Sequence, residues 1–308
     1  MSESFEQHFA KTPEEKSPEQ IKEEKGLELA REIKKIKKRM EKEGKTIEGY
    51  QRIIELVQEI EEMYKEKREF ISEEAKEIYQ SLKKTLLWDE ETQQWNWRMD
   101  REGGLEDSRR YSWAQLLGVL AEAVVGDFEE AKKIYQSLKK TPLWDKEKKQ
   151  WNWYMNKEGE LKDSDRVSWA QLVGVLAEAV VGDFEEAKEI YQSLKETLLW
   201  DKETQQWNRY MNKEGELIDS DRYSGDQLLG VLAEAVVGDF EEAKKIYQSL
   251  KETPLWDKEK KQWNGYMNKE GELKYSDRVS WAQLVGVLAE AFDEKGEEFV
   301  EFLTKGNK

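Results

Sequence analysis

Carboxylates are the side chains this sequence supplies in numbers that could do chemistry. Histidine occurs once, as His8 in a polar N-terminal stretch, and cysteine is absent. A Ser-His-Asp arrangement is therefore excluded. A zinc site lacks its ordinary ligands, and no disulfide or thiolate site can form. No GxxxxGK[ST] or GxGxxG stretch offers a phosphate cradle. Asp145 and Asp163 flank an aromatic segment and Glu178 follows it, and paired carboxylates can cleave glycosides. Asp219, Ser220 and Asp221 offer oxygens to calcium. Yet 67 acidic residues make close pairs inevitable, and a capping turn accounts for Asp219–Asp221 more simply. The sequence therefore predicts no catalytic residue, no metal and no cofactor.

The elements that position these residues recur. Trp88, Trp144, Trp200 and Trp256 mark one place in four near-identical copies that begin at Glu73, Glu129, Glu185 and Glu241, a spacing of 56 residues. A fixed period is the mark of a repeat architecture, in which each unit buries its apolar face on its neighbours.

Each repeat reads as three parts, here in the numbering of the second. Glu129 to Lys140 is a helix with Ala131, Ile134, Tyr135 and Leu138 on one stripe. Asp127 caps it, with Glu130 three residues on. Pro142, like Pro254, ends the helix. Thr141 to Arg166 carries closely spaced aromatic residues between polar turns, which predicts an antiparallel meander of two or three short strands. Gly159 takes the φ > 0 position of its second turn. Ser168 to Val181 is another helix, with Leu172, Val175, Leu176 and Ala179 on its buried stripe. Ser168 and Gln171 read as a capping box, as do Ser112 with Gln115, Ser224 with Gln227, and Ser280 with Gln283. Gly182 ends this helix and Asp183 caps the next.

Outside the repeats, residues 1–17 read as a disordered lead. Residues 18–72 read as an N-terminal cap of two amphipathic helices separated by Gly44. The fourth copy departs from the pattern at Phe292, and 292–308 read as a C-terminal cap. The expected fold is mainly α. It is a right-handed α-solenoid of four helical hairpins (73–128, 129–184, 185–240 and 241–291), each with an inserted short β-hairpin, capped by helices at both ends.

Variation among the copies singles out two positions. One reads Trp97, Trp153, Arg209, Gly265; the other reads Trp113, Trp169, Gly225, Trp281. Loss of a core tryptophan costs about 3–5 kcal/mol, so Trp97 and Trp153 are expected to be at least partly exposed. The unvarying Trp88 and Trp95 are expected in the core. Exposed aromatic residues suit a contact surface. The candidate binding residues are Trp97, Trp153, Tyr154, Arg209, Tyr210 and Tyr266, with Trp113, Trp169 and Trp281 at the second variable position. Drift at loop positions is the alternative.

The segment LLGVLAEAVVGDFEEAKKIYQSLKKTPLW resembles the tetratricopeptide repeat family, through Gly126, Asp127, Phe128, Ala131 and Tyr135. The family's period is 34 residues, so the likeness covers about half of each unit. It implies an α-solenoid with a concave binding surface. Helical hairpins of this length are also similar to the α/α-toroids of glycan-processing enzymes, and QWNWYMNKEGELKDS resembles the aromatic hairpins of cell-wall-binding repeats.

A net charge of −16 argues against nucleic acid as partner, since phosphate binding rests on Lys and Arg, and favours a basic protein. The Glu- and Lys-rich composition is thermophile-like. No apolar run is long enough to cross a membrane, and a cytoplasmic location is expected. The expected function is a non-enzymatic scaffold that binds a protein or peptide along the aromatic row. The alternatives are a glycan-binding repeat protein, with Asn96, Asn152, Asn208 and Asn264 as hydrogen-bonding partners, and a structural, self-assembling or designed array.

Overall fold

The computed structural model describes residues 73–125, 127–237, 239–278 and 280–295, with residues 25, 28–29, 31–36, 38–40, 52 and 55–56. The chain divides into two compact units, Met1–Ser72 and Glu73–Lys308. In the first, the described residues are helical. Leu29, Met40 and Leu56 are buried, and Arg52 pairs with Glu32 at 3.1 Å. The 1–17 lead, most of the 18–72 cap and most of the 292–308 cap lie outside the described residues.

The second unit is the repeat array. The first repeat runs α1 (Glu73–Lys83), β1 (Trp88–Asp89), β2 (Gln94–Trp95), β3 (Arg98–Met99), β4 (Leu105–Asp107), β5 (Arg110–Tyr111) and α2 (Ser112–Val125). The second runs α3 (Phe128–Leu138), β6 (Trp144–Asp145), β7 (Gln150–Trp151), β8 (Tyr154–Met155), β9 (Leu161–Asp163), β10 (Arg166–Val167) and α4 (Ser168–Val181). The third runs α5 (Phe184–Lys195), β11 (Trp200–Asp201), β12 (Gln206–Trp207), β13 (Tyr210–Met211), β14 (Leu217–Asp219), β15 (Arg222–Tyr223) and α6 (Ser224–Val237). The fourth runs α7 (Phe240–Lys251), β16 (Trp256–Asp257), β17 (Gln262–Trp263), β18 (Tyr266–Met267), β19 (Leu273–Tyr275) and α8 (Ser280–Lys295). The protein is mainly helical, built from repeated helix-plus-hairpin units. No helix among the described residues is long and apolar enough to cross a membrane.

The outer helices α3, α5 and α7 start as their sequence predicts. Asp127 accepts the Glu130 amide at 3.0 Å, and Asp183 accepts those of Glu185 and Glu186 at 3.0 and 3.1 Å. Ala131, Ile134, Tyr135 and Leu138 form the buried stripe of α3.

The inner helices α2, α4, α6 and α8 lie side by side, each packed on the next. α4 and α6 are therefore buried all round rather than along one stripe: from Ala170 to Val181 every residue of α4 is buried. A helix apolar on every side belongs in such a position.

The predicted capping box does not form. The N-cap of α4 is Val167, with no side-chain hydrogen bond. Gln171 reaches the hairpin instead: its Oε1 accepts the Trp151 amide at 2.8 Å and its Nε2 donates to the Trp151 carbonyl at 2.6 Å. Gln115, Gln227 and Gln283 make the same clamp on Trp95, Trp207 and Trp263. The indole of Trp151 then lies on Gly174, where an added Cβ would stand 2.4 Å from Nε1. A helical glycine is here the seat of a tryptophan.

The aromatic segment forms short antiparallel strands, but five in the second repeat rather than the two or three expected, arranged as two hairpins and not one meander, because some of the pairings cross the repeat boundary. β6 pairs with β7 (Trp144 opposite Trp151) and β8 with β9 (Tyr154 opposite Asp163) within the repeat. β8 also pairs with β5 of the preceding repeat, Arg110 opposite Met155 and Tyr111 opposite Tyr154. The same three-stranded sheets recur as β10–β13–β14 and β15–β18–β19. Gly159 holds φ +79°, as its turn predicts, and Lys149 takes a left-handed φ of 51° in the turn between β6 and β7.

Candidate functional site

The carboxylates that invited a catalytic reading are structural. Asp145 accepts from the buried Arg166 guanidinium at 2.6 Å, tying β6 to β10. Asp163 accepts the Asp165 amide at 2.9 Å, and Asp219 accepts that of Asp221 at 2.8 Å, so both close turns. Glu178 is buried in α4, where it accepts from the Tyr135 hydroxyl at 2.7 Å and Lys139 at 2.8 Å. Burial, with the Glu178 charge beside it, pushes the Tyr135 phenol well above its ordinary range. The asparagines proposed as sugar ligands are buried as well: Asn152 donates from its side chain to the Pro142 carbonyl at 2.8 Å. That corrects the expectation of an Asn row open to ligand.

The tryptophans divide as their variation predicts, except that Trp95 and Trp256, expected in the core, are only partly buried in the first and last repeats, where they pack against the core cluster. Trp88, Trp144 and Trp151 are buried, and Trp144 packs on Trp151 with ring centroids 4.9 Å apart. Trp97 is 39% exposed and Trp153 half-buried. Both lie beside the N-terminal ends of the inner helices, because the strand segment returns there.

Six of these outer rings form one continuous cluster. Trp97 touches Tyr111 and Trp113, each at 5.1 Å between centroids. Tyr111 touches Trp153 at 5.2 Å and Tyr154 at 5.1 Å. Trp169 closes the circuit, 4.6 Å from Trp113 and 5.9 Å from Trp153. The Tyr111–Tyr154 contact is a cross-strand pair of the β5–β8 ladder. Arg109 lies over both tyrosines, at 5.5 and 5.6 Å, and Asp107 holds its guanidinium at 2.5 Å. The platform thus spans the first repeat boundary and carries little free charge.

The later repeats replace this surface. Arg209, in the place of Trp97, lies 3.8 Å from the centroid of Tyr223. Tyr223 stacks on Tyr266 at 4.6 Å and Tyr266 on Tyr275 at 5.7 Å. Tyr275 fills space that Gly265 leaves: a Cβ on Gly265 would stand 2.9 Å from the Tyr275 ring. Tyr210 is half-buried opposite Val167, so that boundary lacks a tyrosine pair. Trp281 has its backbone in α8, and its side chain lies outside the described residues. The structure therefore brings together Trp97, Trp113, Trp153, Tyr154 and Trp169, and sets Arg209, Tyr210 and Tyr266 apart from them.

Sequence reasoning passed over Asp226. It follows Gly225, where the other repeats have Ala114, Ala170 and Ala282. Asp226 is buried at the start of α6 and accepts from the Ser168 hydroxyl of α4 at 2.7 Å. In the neighbouring repeats Ser112 and Ser224 direct their hydroxyls to the carbonyls of Trp153 and Gly265. Burial pushes the Asp226 carboxyl up to about 7, against the opposing effects of the Ser168 bond and the Arg209 charge. The signal was the same comparison of copies that exposed Gly225, read one residue further.

No family model matches the chain and no curated protein matches it in sequence. Its fold is nevertheless shared with solved structures. A cellobiose 2-epimerase from Bacillus thermoamylovorans B4167 matches over 91% of this chain and 74% of its own length, at 16% identity and a TM-score of 0.53. A D-mannose isomerase matches over 71% of this chain and 63% of its own, at 13% identity and a TM-score of 0.55. A sugar epimerase from a ruminal bacterium matches over 74% and 66%, at 18% identity and a TM-score of 0.54. The chain spans less than two thirds of the mannose isomerase and close to two thirds of the ruminal epimerase. These neighbours correct the expectation of a non-enzymatic protein- or peptide-binding scaffold, because the fold is one that carbohydrate-active enzymes use.

Proposed function

We propose that the chain binds carbohydrate on the aromatic platform at the N-terminal ends of its inner helices. The observation that carries this reading is the continuous cluster of Trp97, Tyr111, Trp113, Trp153, Tyr154 and Trp169 across the first repeat boundary. Aromatic faces stack on the apolar faces of sugar rings, and the fold neighbours act on sugars by name. A net charge of −16 repels polyanions, so a neutral oligosaccharide is the fitting class. Calorimetric titration with cellobiose, mannose and longer neutral oligosaccharides tests it. Trp153→Ala removes a central ring and is expected to weaken binding about tenfold, as truncation of a central aromatic anchor does. Binding that is absent, or unchanged in Trp97→Ala/Trp153→Ala, refutes the proposal.

A further inference from the structure

The two ends of the repeat array expose the two halves of an interface that the array makes repeatedly within itself. Inside the chain, an inner helix is covered by the outer and inner helices of the next repeat: α2 by α3 and α4, α4 by α5 and α6, α6 by α7 and α8. On the covered side Leu116 and Val119 are buried, as are Leu172 and Val175, and Leu228 and Val231. In α8 the same positions are Leu284 and Val287, and they are 67% and 66% exposed, with Leu288 exposed beside them.

The other half is bare at the first repeat. Ile134 and Leu138 of α3, with Val173 and Val180 of α4, are buried where their repeat meets its predecessor. Their counterparts in the first repeat are Ile78 and Leu82 of α1, with Leu117 and Val124 of α2. All four are exposed, Ile78 at 56% and Val124 at 49%. The apolar stripe of one open end is thus the residue-for-residue complement of the other.

We propose that a second copy of this chain docks head to tail, the α8 face of one copy seated on the α1–α2 face of the next. The contact repeats the α2-to-α3 and α2-to-α4 packing already present within the chain. It is heterologous, so further copies add until a ring closes or a filament grows. The proposal stands independently of carbohydrate binding.

Sedimentation velocity on the full chain tests it, with two variants blocked at opposite ends. Leu117→Lys/Val124→Lys blocks the first end and Leu284→Lys/Val287→Lys the last. All four positions are solvent-exposed, so both variants are expected to fold, which circular dichroism melts check. The parent is expected to associate as its concentration rises. Each variant alone is expected to remain monomeric, and their equimolar mixture to form a dimer and nothing larger, since one intact face of each kind remains. A parent that stays monomeric at every concentration overturns the proposal; that is the outcome if flanking residues of the same chain cover these faces. Association of either variant alone also overturns it, by showing an isologous contact. So does a mixture that stays monomeric while the parent associates.

Discussion

Replacing Gly174 by alanine separates local propensity from packing, because the two predict opposite signs. In a helix interior, Gly→Ala stabilises by about 1 kcal/mol. Here the new Cβ would stand 2.4 Å from Nε1 and 2.5 Å from Cδ1 of Trp151. Ordinary van der Waals contact begins near 3.4 Å, so the indole must retreat by about 1 Å. It has little freedom to do so. Gln171 pins its backbone at both N–H and C=O, and its ring is wedged between Trp144 and Tyr135 at 4.9 and 5.9 Å. Overpacking of this kind costs about 1–3 kcal/mol, and the pinning places this site at the upper end. Less the propensity gain, the net loss is about 2 kcal/mol. Urea unfolding followed by far-UV circular dichroism measures it as a lowered midpoint. Gly174→Ala combined with Trp151→Phe, which shortens the ring, should lose less than the sum of the two single changes. A raised midpoint in Gly174→Ala, or strict additivity in the pair, refutes the seat described for the indole.

Other expectations concern the buried polar ties. Asp201→Asn removes the negative charge that stands 2.5 Å from the buried Arg222 guanidinium and should destabilise by about 3 kcal/mol in thermal melts; Asp257→Asn should cost far less in the same measurement, since Arg278 is solvent-exposed. Gln171→Ala strands the amide and carbonyl of Trp151 and is expected to cost about 2–4 kcal/mol, read as a fall in the denaturation midpoint. The Asp226 carboxyl titrates higher in the folded chain than in the unfolded one. Its contribution to stability is therefore fully present below about pH 4 and is lost as pH rises to about 7. Asp226→Asn should accordingly gain in melting temperature relative to the parent across that window and hold the gain above it; a difference that does not change with pH counts against the assignment.

Much of the helical frame was legible because its signals are local. The Asp127 and Asp183 caps, the Ala131–Leu138 stripe and the limits of α4 follow from spacing within a dozen residues. The partial exposure of Trp97 and Trp153 was legible for another reason: copies that tolerate Arg209 and Gly265 at that place cannot bury it tightly. What was not legible depends on segments that meet across the fold. Ser168 and Gln171 satisfy the pattern of a local capping box, yet Gln171 bonds to a strand that the chain brings alongside from an earlier segment. The β5–β8 ladder joins different repeats through strands of two residues, too short to carry any periodicity. Asp226 escaped because Gly225 drew the comparison to the lost indole rather than to the gained carboxyl. The function was misread at the same level, since helical hairpins with aromatic excursions suit both a peptide-binding solenoid and a sugar-processing toroid, and spacing alone does not distinguish them.

The strand ladders that cross the repeat boundaries have a mechanical consequence. Successive repeats are joined by packed inner helices and, beside the N-terminal ends of those helices, by hydrogen-bonded strands. A joint fastened at two separated places resists both swivel and splay. The rings that straddle a boundary are therefore held by the joint itself, Tyr111 and Tyr154 directly as a cross-strand pair and Trp97 and Trp153 on either side of Tyr111. A ligand that meets such a surface spends none of its affinity on drawing the two rings together. On the proposed carbohydrate reading it would instead have to match a spacing already set, so the platform would sort oligosaccharides by the distance between their own repeating faces.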